Sequence, residues 1–296
     1  MKWWWKAALT LVLVIVVATL GISGYLGYSM TRVERLAVEQ DPALLGLDYE
    51  EVSFPSLEDE LTLHGWFLPV PQSQEVIIMV HGADQHRADP SIGMLGIASE
   101  LVEHGYNVLM FDLRGHGESE GNMMSAGYYE QRDLNGAVEY VKGRGFQQIG
   151  VLGFSVGAAT AVLATADNSD ISALVSDSGF ADLKDMMEPE FSKRTRFPKF
   201  FLGPLLFLVK IMYGVDFNAV SPEAVVPRIA PRPVLFIHGE DDETVPQEHA
   251  QRLYQASLNP QNQLWVAPGA GHVKIYLTYP EEYMNRVTMF FDMTLR

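Results

Sequence analysis

Six short runs of apolar residues, separated by patterns of helical period, constrain the fold more than anything else in this chain. Val76-Ile77-Ile78-Met79-Val80 comes first, and Asn107 to Phe111, Ile149 to Phe154, Ala173 to Val175, Val234 to Ile237 and Gln263 to Val266 follow. Continuous apolar runs of this length belong to strands covered on both faces. Ile92 to His104, Gly127 to Lys142, Val156 to Ala166, Gln247 to Gln255 and Glu281 to Met293 carry apolar residues at helical spacing. Alternating strand and helix predict an α/β fold, a doubly wound and mostly parallel sheet. Ahead of the first run, Glu50 to Phe54 and Leu61 to Leu68 alternate as an antiparallel pair would, with Leu57-Glu58-Asp59-Glu60 at the turn. The folded domain is therefore expected over residues 49–296, and 296 residues require no second one.

Gly153-Phe154-Ser155-Val156-Gly157 joins one of these runs to a small-residue helix. A sharp turn there would force strained backbone angles on the serine, and the flanking glycines would let strand and helix approach closely. The pentapeptide alone is weak, since three fixed positions at about 7% usage give roughly 0.1 chance matches in such a chain. A serine hydroxyl also needs a histidine base and a carboxylate to orient it. Two loops offer them. His238-Gly239-Glu240-Asp241-Asp242-Glu243-Thr244-Val245-Pro246 follows a strand run and offers Asp242 as the acid. Pro268-Gly269-Ala270-Gly271-His272 offers His272 as the base, with small residues giving the loop reach.

With these loops in order, residues 49–296 resemble the α/β-hydrolase superfamily. The elbow at Gly153 to Gly157, the acid loop at His238 to Pro246 and the histidine loop at Gly269 to His272 match it. His81-Gly82-Ala83 stands where the family places its oxyanion loop, and Phe111 to Ser119 resembles its Asp-x-Arg-Gly-His-Gly-x-Ser turn. The resemblance implies that Ser155 attacks an acyl carbonyl, His272 shuttles the proton and Asp242 fixes the imidazole tautomer. It also implies that the backbone N–H groups of Ala83 and Val156 hold the oxyanion. Asp84 departs from glycine-rich versions of that loop and is read as a cap for the next helix.

Each residue has a plainer reading. Asp177 is the rival acid, because some members of the fold take their carboxylate from that earlier strand. Glu240, Asp241 and Glu243 suit a solvated face, and His81, His116 and His238 suit ring bonds to backbone in tight turns. No His-x-x-x-His or carboxylate cluster has ligand spacing, so neither a metal nor another cofactor is expected. The leading function is hydrolysis of carboxylic esters on a small or lipid-like acyl substrate. A peptidase, an acyltransferase on the same residues, and a binding protein without turnover are the alternatives.

Composition narrows the partners. Thirty-seven acidic against 21 basic side chains give a formal charge of −16, which would repel nucleic acid over most of the surface. The absence of cysteine removes disulfides, thiolate metal sites and a cysteine nucleophile. Residues 1–30 form a separate object: from Ala7 to Met30 there is no charge. That is about 34 Å of helix, enough to cross a hydrocarbon core of about 30 Å. Lys2, Lys6 and Trp3-Trp4-Trp5 mark a cytoplasmic end with an aromatic belt, which predicts a single-pass anchor in the cell membrane and an extracytoplasmic domain. Arg32 and Arg35 oppose that orientation, though Glu34 and Glu39 accompany them. The length of the run, with no Ala-x-Ala site after it, favours an uncleaved anchor over a signal peptide.

Residues 31–48 read as a polar connector, with helical potential from Thr31 to Gln40 and a break at Asp41-Pro42. Residues 182–228 break the strand–helix alternation and read as a helical lid over the strand ends. Its apolar residues suit a pocket cover, and Lys193, Arg194, Arg196 and Lys199 beside Phe200 to Val209 also suit contact with anionic lipid.

Overall fold

The computed structural model describes residues 2–296, so Met1, the first residue of the expected anchor, lies outside them. Among the described residues one sheet of eight strands runs through the molecule in the order β1-β2-β4-β3-β5-β6-β7-β8. The strands are β1 (Glu50–Pro55), β2 (Thr62–Leu68), β3 (Glu75–Val80), β4 (Asn107–Phe111), β5 (Gln148–Phe154), β6 (Ile171–Asp177), β7 (Val234–Gly239) and β8 (Gln263–Ala267). β1 and β2 pair antiparallel, β2 runs antiparallel to β4, and every pairing from β4 to β8 is parallel. The strand runs read from the sequence thus form the predicted doubly wound sheet.

Its two faces explain the continuous apolar runs. Ile77 and Met79 of β3 enter one core with α2 (Met94–Glu103) and α10 (Pro280–Leu295). Val76, Ile78 and Val80 enter the other with α3 (Glu130–Gly143), α4 (Val156–Asp167) and Leu253 of α8 (Glu248–Ala256). Successive side chains of a strand point to opposite faces, so a strand buried on both sides needs apolar residues at every position. β3 lies between β4 and β5, and the chain reverses its direction of travel across the sheet there. A crevice opens at the carboxyl ends of strands at such a switch point.

A third core stands above those ends. Between β6 and β7 the chain forms α5 (Leu183–Thr195), α6 (Leu202–Tyr213) and the short α7 (Pro222–Val225), with single 3-10 turns between them. Phe191, Phe201, Leu205, Val209 and Phe217 from this segment pack with Val156, Phe180 and Val245 below. Leu26 of α1 (Lys2–Thr31) joins them. Residues Trp3–Thr31 are long and apolar enough to cross a bilayer. The exposed part of that helix ends near Gly21; beyond it Ser23, Leu26 and Gly27 are buried against the domain.

The helix expected from Thr31 to Gln40 is not formed: α1 ends at Thr31 and residues 33–41 carry no regular structure. A long-range contact overrides the local propensity. The Arg35 guanidinium donates to the carbonyls of Gly117 (2.8 Å), Ser119 (2.6 Å) and Gly121 (2.9 Å), which draws the chain out along the domain. Asp41 then caps a 3-10 turn over Pro42–Leu45. α9 (Ile275–Thr278) completes the elements.

Candidate active site

β5 delivers Ser155 at the switch point. Its backbone has φ 53° and ψ −117°, a strained conformation for a residue with a side chain. Two close approaches hold it. A Cβ on Gly157 would overlap the carbonyl oxygens of Val80 and His81, and one on Gly153 would come within 2.5 Å of the Gly157 carbonyl. Only glycine fits either position, so the helix start, the strand and the β3 loop lock together. Ser155 N–H donates to the Asp177 carbonyl at 2.9 Å.

His272 meets the serine from the loop after β8. Its Nε2 lies 2.8 Å from Ser155 Oγ, and its Nδ1 lies 2.6 Å from Asp242 Oδ2. A carboxylate only accepts, so Nδ1 carries the proton and Nε2 accepts the serine hydroxyl. The histidine and acid loops brace each other: Asp241 N–H donates to the Ala270 carbonyl (3.0 Å), and a Cβ on Gly239 would overlap that same oxygen.

Asp242 accepts three hydrogen bonds and faces a fourth nitrogen. Its Oδ1 takes the backbone N–H groups of Thr244 (2.9 Å) and Val245 (2.8 Å), while Oδ2 faces His272 and, at 3.2 Å, His238 Nε2. Burial alone would raise this carboxyl, but the contacts from His238 and His272 outweigh it and hold it well below the usual carboxylate range. His238 also donates to the Val245 carbonyl at 2.7 Å, the backbone bond expected of it. Its contact with Asp242 is a feature that sequence reasoning missed; the four-residue spacing within one loop was the available signal.

Asp177 is placed differently. Its oxygens accept from Ser178 Oγ (2.8 Å) and Tyr283 OH (3.0 Å), and burial pushes its carboxyl up to about 6. His272 bonds Asp242 and not Asp177. Asp177 reaches the histidine loop by hydrogen bonds through Ser178, whose Oγ accepts the Val273 N–H at 3.2 Å.

Ala83 and Val156 both line the cavity at Ser155, and Val156 opens the first turn of α4, where N–H groups have no helical partner. A Cβ on Gly82 would stand 3.1 Å from Ser155 Cβ, so the β3 loop passes directly beside the serine. Asp84 is not a cap. Gly93 precedes α2 with no side-chain bond, nine residues separate Asp84 from that helix, and Asp84 faces the cavity at φ 52°.

The Phe111 to Ser119 turn is a buried brace. Asp112 accepts the Arg87 backbone N–H (2.8 Å), the Arg87 guanidinium and the Glu118 N–H (3.0 Å), and Arg114 pairs with Asp133 at 2.7 Å. His81 joins the brace to the loop after β3: its Nδ1 donates to the Gly82 carbonyl (2.7 Å) and its Nε2 accepts from Leu113 N–H (3.0 Å). Burial holds the His81 imidazole down at about 3, so it stays neutral.

Over Ser155 lies a cavity of about 240 Å³. Met186, Met187 and Phe191 of α5, Phe217, Met124 and Ala126 line it, with Arg194 and Asp84 as its charged side chains. Met30 also lines it, so the N-terminal helix supplies part of the wall. Nothing in the local sequence pattern signals that contribution. Among the described residues no group of three His, Asp or Glu side chains is placed to hold a metal ion.

The sheet order, the elbow and the cavity at the strand ends together define an α/β-hydrolase. Residues 71–221 match the family described as serine aminopeptidase, S33, and the chain belongs to that family of hydrolases. It is 32% identical over 237 residues to the Bacillus subtilis (strain 168) protein YqkD, covering 78% of this chain and 75% of that one. It is 30% identical over 260 residues to the Arabidopsis thaliana α/β-hydrolase domain-containing protein WAV2, covering 85% and 81%. Among solved structures, the Pyrococcus furiosus esterase Pf2001 superposes with a TM-score of 0.75 at 28% identity, over 89% of this chain and all of that one.

Proposed function

We propose that the protein is a membrane-anchored serine hydrolase that cleaves carboxylic esters through an acyl-enzyme. The observation that carries this reading is the unbroken hydrogen-bond chain from Ser155 Oγ through His272 to Asp242, opening on an apolar cavity. His272 Nε2 takes the hydroxyl proton as Ser155 Oγ bonds to the acyl carbon, and the carbonyl electrons move to its oxygen. The N–H groups of Ala83 and Val156 receive that oxyanion; one such donor is typically worth about 3 kcal/mol. Asp242, held ionised, stabilises the imidazolium that forms. His272 then protonates the departing alcohol, and water repeats the sequence to release the acid.

The Met and Phe lining, together with the likeness to the Pyrococcus furiosus esterase, supports an apolar acyl group. The cavity lies just below the common ligand-pocket range of about 300–1,000 Å³, which favours one slender chain over a bulky group. A second reading, removal of N-terminal amino acids, is favoured by the family's description and by Asp84, the carboxylate lining the cavity, which would meet a free ammonium.

A fluorophosphonate probe tests the nucleophile. Wild type is expected to label rapidly, Ser155→Ala not at all, and ester turnover of that variant to fall by about 10³-fold or more. Folded wild type that fails to label would sink the proposal. Turnover of aminoacyl p-nitroanilides in preference to p-nitrophenyl acyl esters would select the second reading.

A further inference from the structure

We infer that the lid helix α6 is a second membrane contact: its outer face rests in the bilayer that α1 crosses, so the cavity over Ser155 is filled from the lipid phase. This rests on the anchored reading of α1.

The outer face of α6 is apolar apart from Lys210, whose exposed ammonium pairs with Asp216. Leu205 and Val209 turn inward and are buried, while Phe207 and Ile211, one turn apart on the opposite side, are 60% and 64% exposed. Phe200, in the 3-10 turn leading into α6, is 62% exposed. A surface helix in water carries mostly polar residues on its outer face; large exposed apolar side chains beside a single lysine suit a helix lying at an interface, with the ammonium reaching the headgroups. The 3-10 turn begins with Lys199 and follows Lys193, Arg194 and Arg196, a cationic stretch in a chain of net charge −16. Cations next to exposed aromatics suit the surface of an anionic bilayer.

The anchor fixes where that surface lies. Trp3, Trp4 and Trp5 are exposed at one end of α1, and Tyr25 and Tyr28 at the other. The 22 residue-to-residue steps from Trp3 to Tyr25 span about 33 Å of helix, matching a hydrocarbon core of about 30 Å between two aromatic belts. α6 sits at the second belt. Ser23 Oγ donates to the Phe201 carbonyl (3.3 Å), Gly24 faces Leu208, and a Cβ on Gly27 would come within 2.7 Å of Val209. The absent side chains bring the two helices close, so α6 cannot leave the interface while α1 spans the membrane. Met30, about one turn past Tyr25 and Tyr28, already lines the cavity. Its mouth therefore lies within a few ångströms of the lipid headgroups, and the substrate class is an ester whose acyl chain is dissolved in the bilayer.

The chain has no cysteine, so single labels are clean. Full-length protein carrying Leu13→Cys, Phe207→Cys, Ile211→Cys or Leu258→Cys, each labelled with a nitrobenzoxadiazole, is reconstituted in vesicles of 70% phosphatidylcholine and 30% phosphatidylglycerol containing doxyl-lipid quenchers. Labels at positions 13, 207 and 211 are expected to be quenched several-fold more than the one at Leu258, an exposed residue in the loop that enters the N-terminal end of β8, whereas the lid covers the carboxyl ends of the strands. Quenching at 13 without quenching at 207 and 211 overturns the inference alone; no quenching at 13 overturns the anchored reading beneath it. In a second arm, Phe207→Glu/Ile211→Glu is expected to lower hydrolysis of vesicle-borne p-nitrophenyl palmitate about fivefold or more, with aqueous p-nitrophenyl acetate unchanged. Loss on both esters, or on neither, counts against it. The labelling arm is independent of turnover, so it stands even if wild type cleaves no ester.

Discussion

Asp177 and Asp242 follow adjacent strands, yet their surroundings drive them in opposite directions. Asp242 accepts three hydrogen bonds, faces a fourth nitrogen and stays ionised; Asp177 has two hydroxyl donors and full burial. With its folded value near 6 and an ordinary carboxylate near 4, Asp177 keeps a proton that the unfolded chain has released between those values. Its contribution is therefore complete below about pH 4 and is lost as pH rises through about 6, at a cost on the order of 3 kcal/mol. Asp177→Asn should remove this dependence, so the stability of wild type relative to the variant falls between pH 4 and pH 7 in urea titrations. A difference that does not move with pH would refute it. Most ester turnover should survive the change, because His272 bonds Asp242. Sequence alone kept both carboxylates open, since each follows a strand and only the fold decides which one an imidazole 30 residues away can reach.

At the level of elements, the strand–turn–helix at Ser155 depends on two missing side chains. Gly157→Ala would push a methyl into the carbonyls of Val80 and His81 and is predicted to cost about 1–3 kcal/mol of stability as well as ester turnover. An unchanged urea midpoint would contradict the close approach. The sheet was legible because its signals are local: continuous apolar runs, small residues after Ser155, and turn residues at the strand ends. Two features were not. The helix expected over Thr31–Gln40 loses to the carbonyls that Arg35 gathers from the 117–121 loop, and Met30 reaches the cavity only because α1 packs on α6. Both depend on contacts far apart in sequence, which no local pattern encodes.

Over the whole molecule, charge and anchoring argue together for orientation. Lys2 and Lys6 precede the apolar helix, and Arg35, counted against an extracytoplasmic domain, is taken up by domain carbonyls. On the anchored reading proposed above, Lys2 and Lys6 against Arg32 predict an N-terminus in the cytoplasm. Protease added to intact cells is expected to remove an epitope fused after Arg296, and its protection until lysis would reverse the topology.

Because α1 passes without a break from its exposed stretch into the buried positions Ser23, Leu26 and Gly27, it is two parts on one rod. On the anchored reading, the outer part, up to about Leu20, would answer only to the thickness of the bilayer, and many apolar sequences would serve there. The inner part is domain core in all but position: trimming the chain back to Tyr49 to make it soluble would strip a wall from the cavity and bare Leu205 and Val209. On the anchored reading proposed above, the boundary between tether and folded domain would fall inside a helix, near Gly21, where α1 passes from exposed to buried positions.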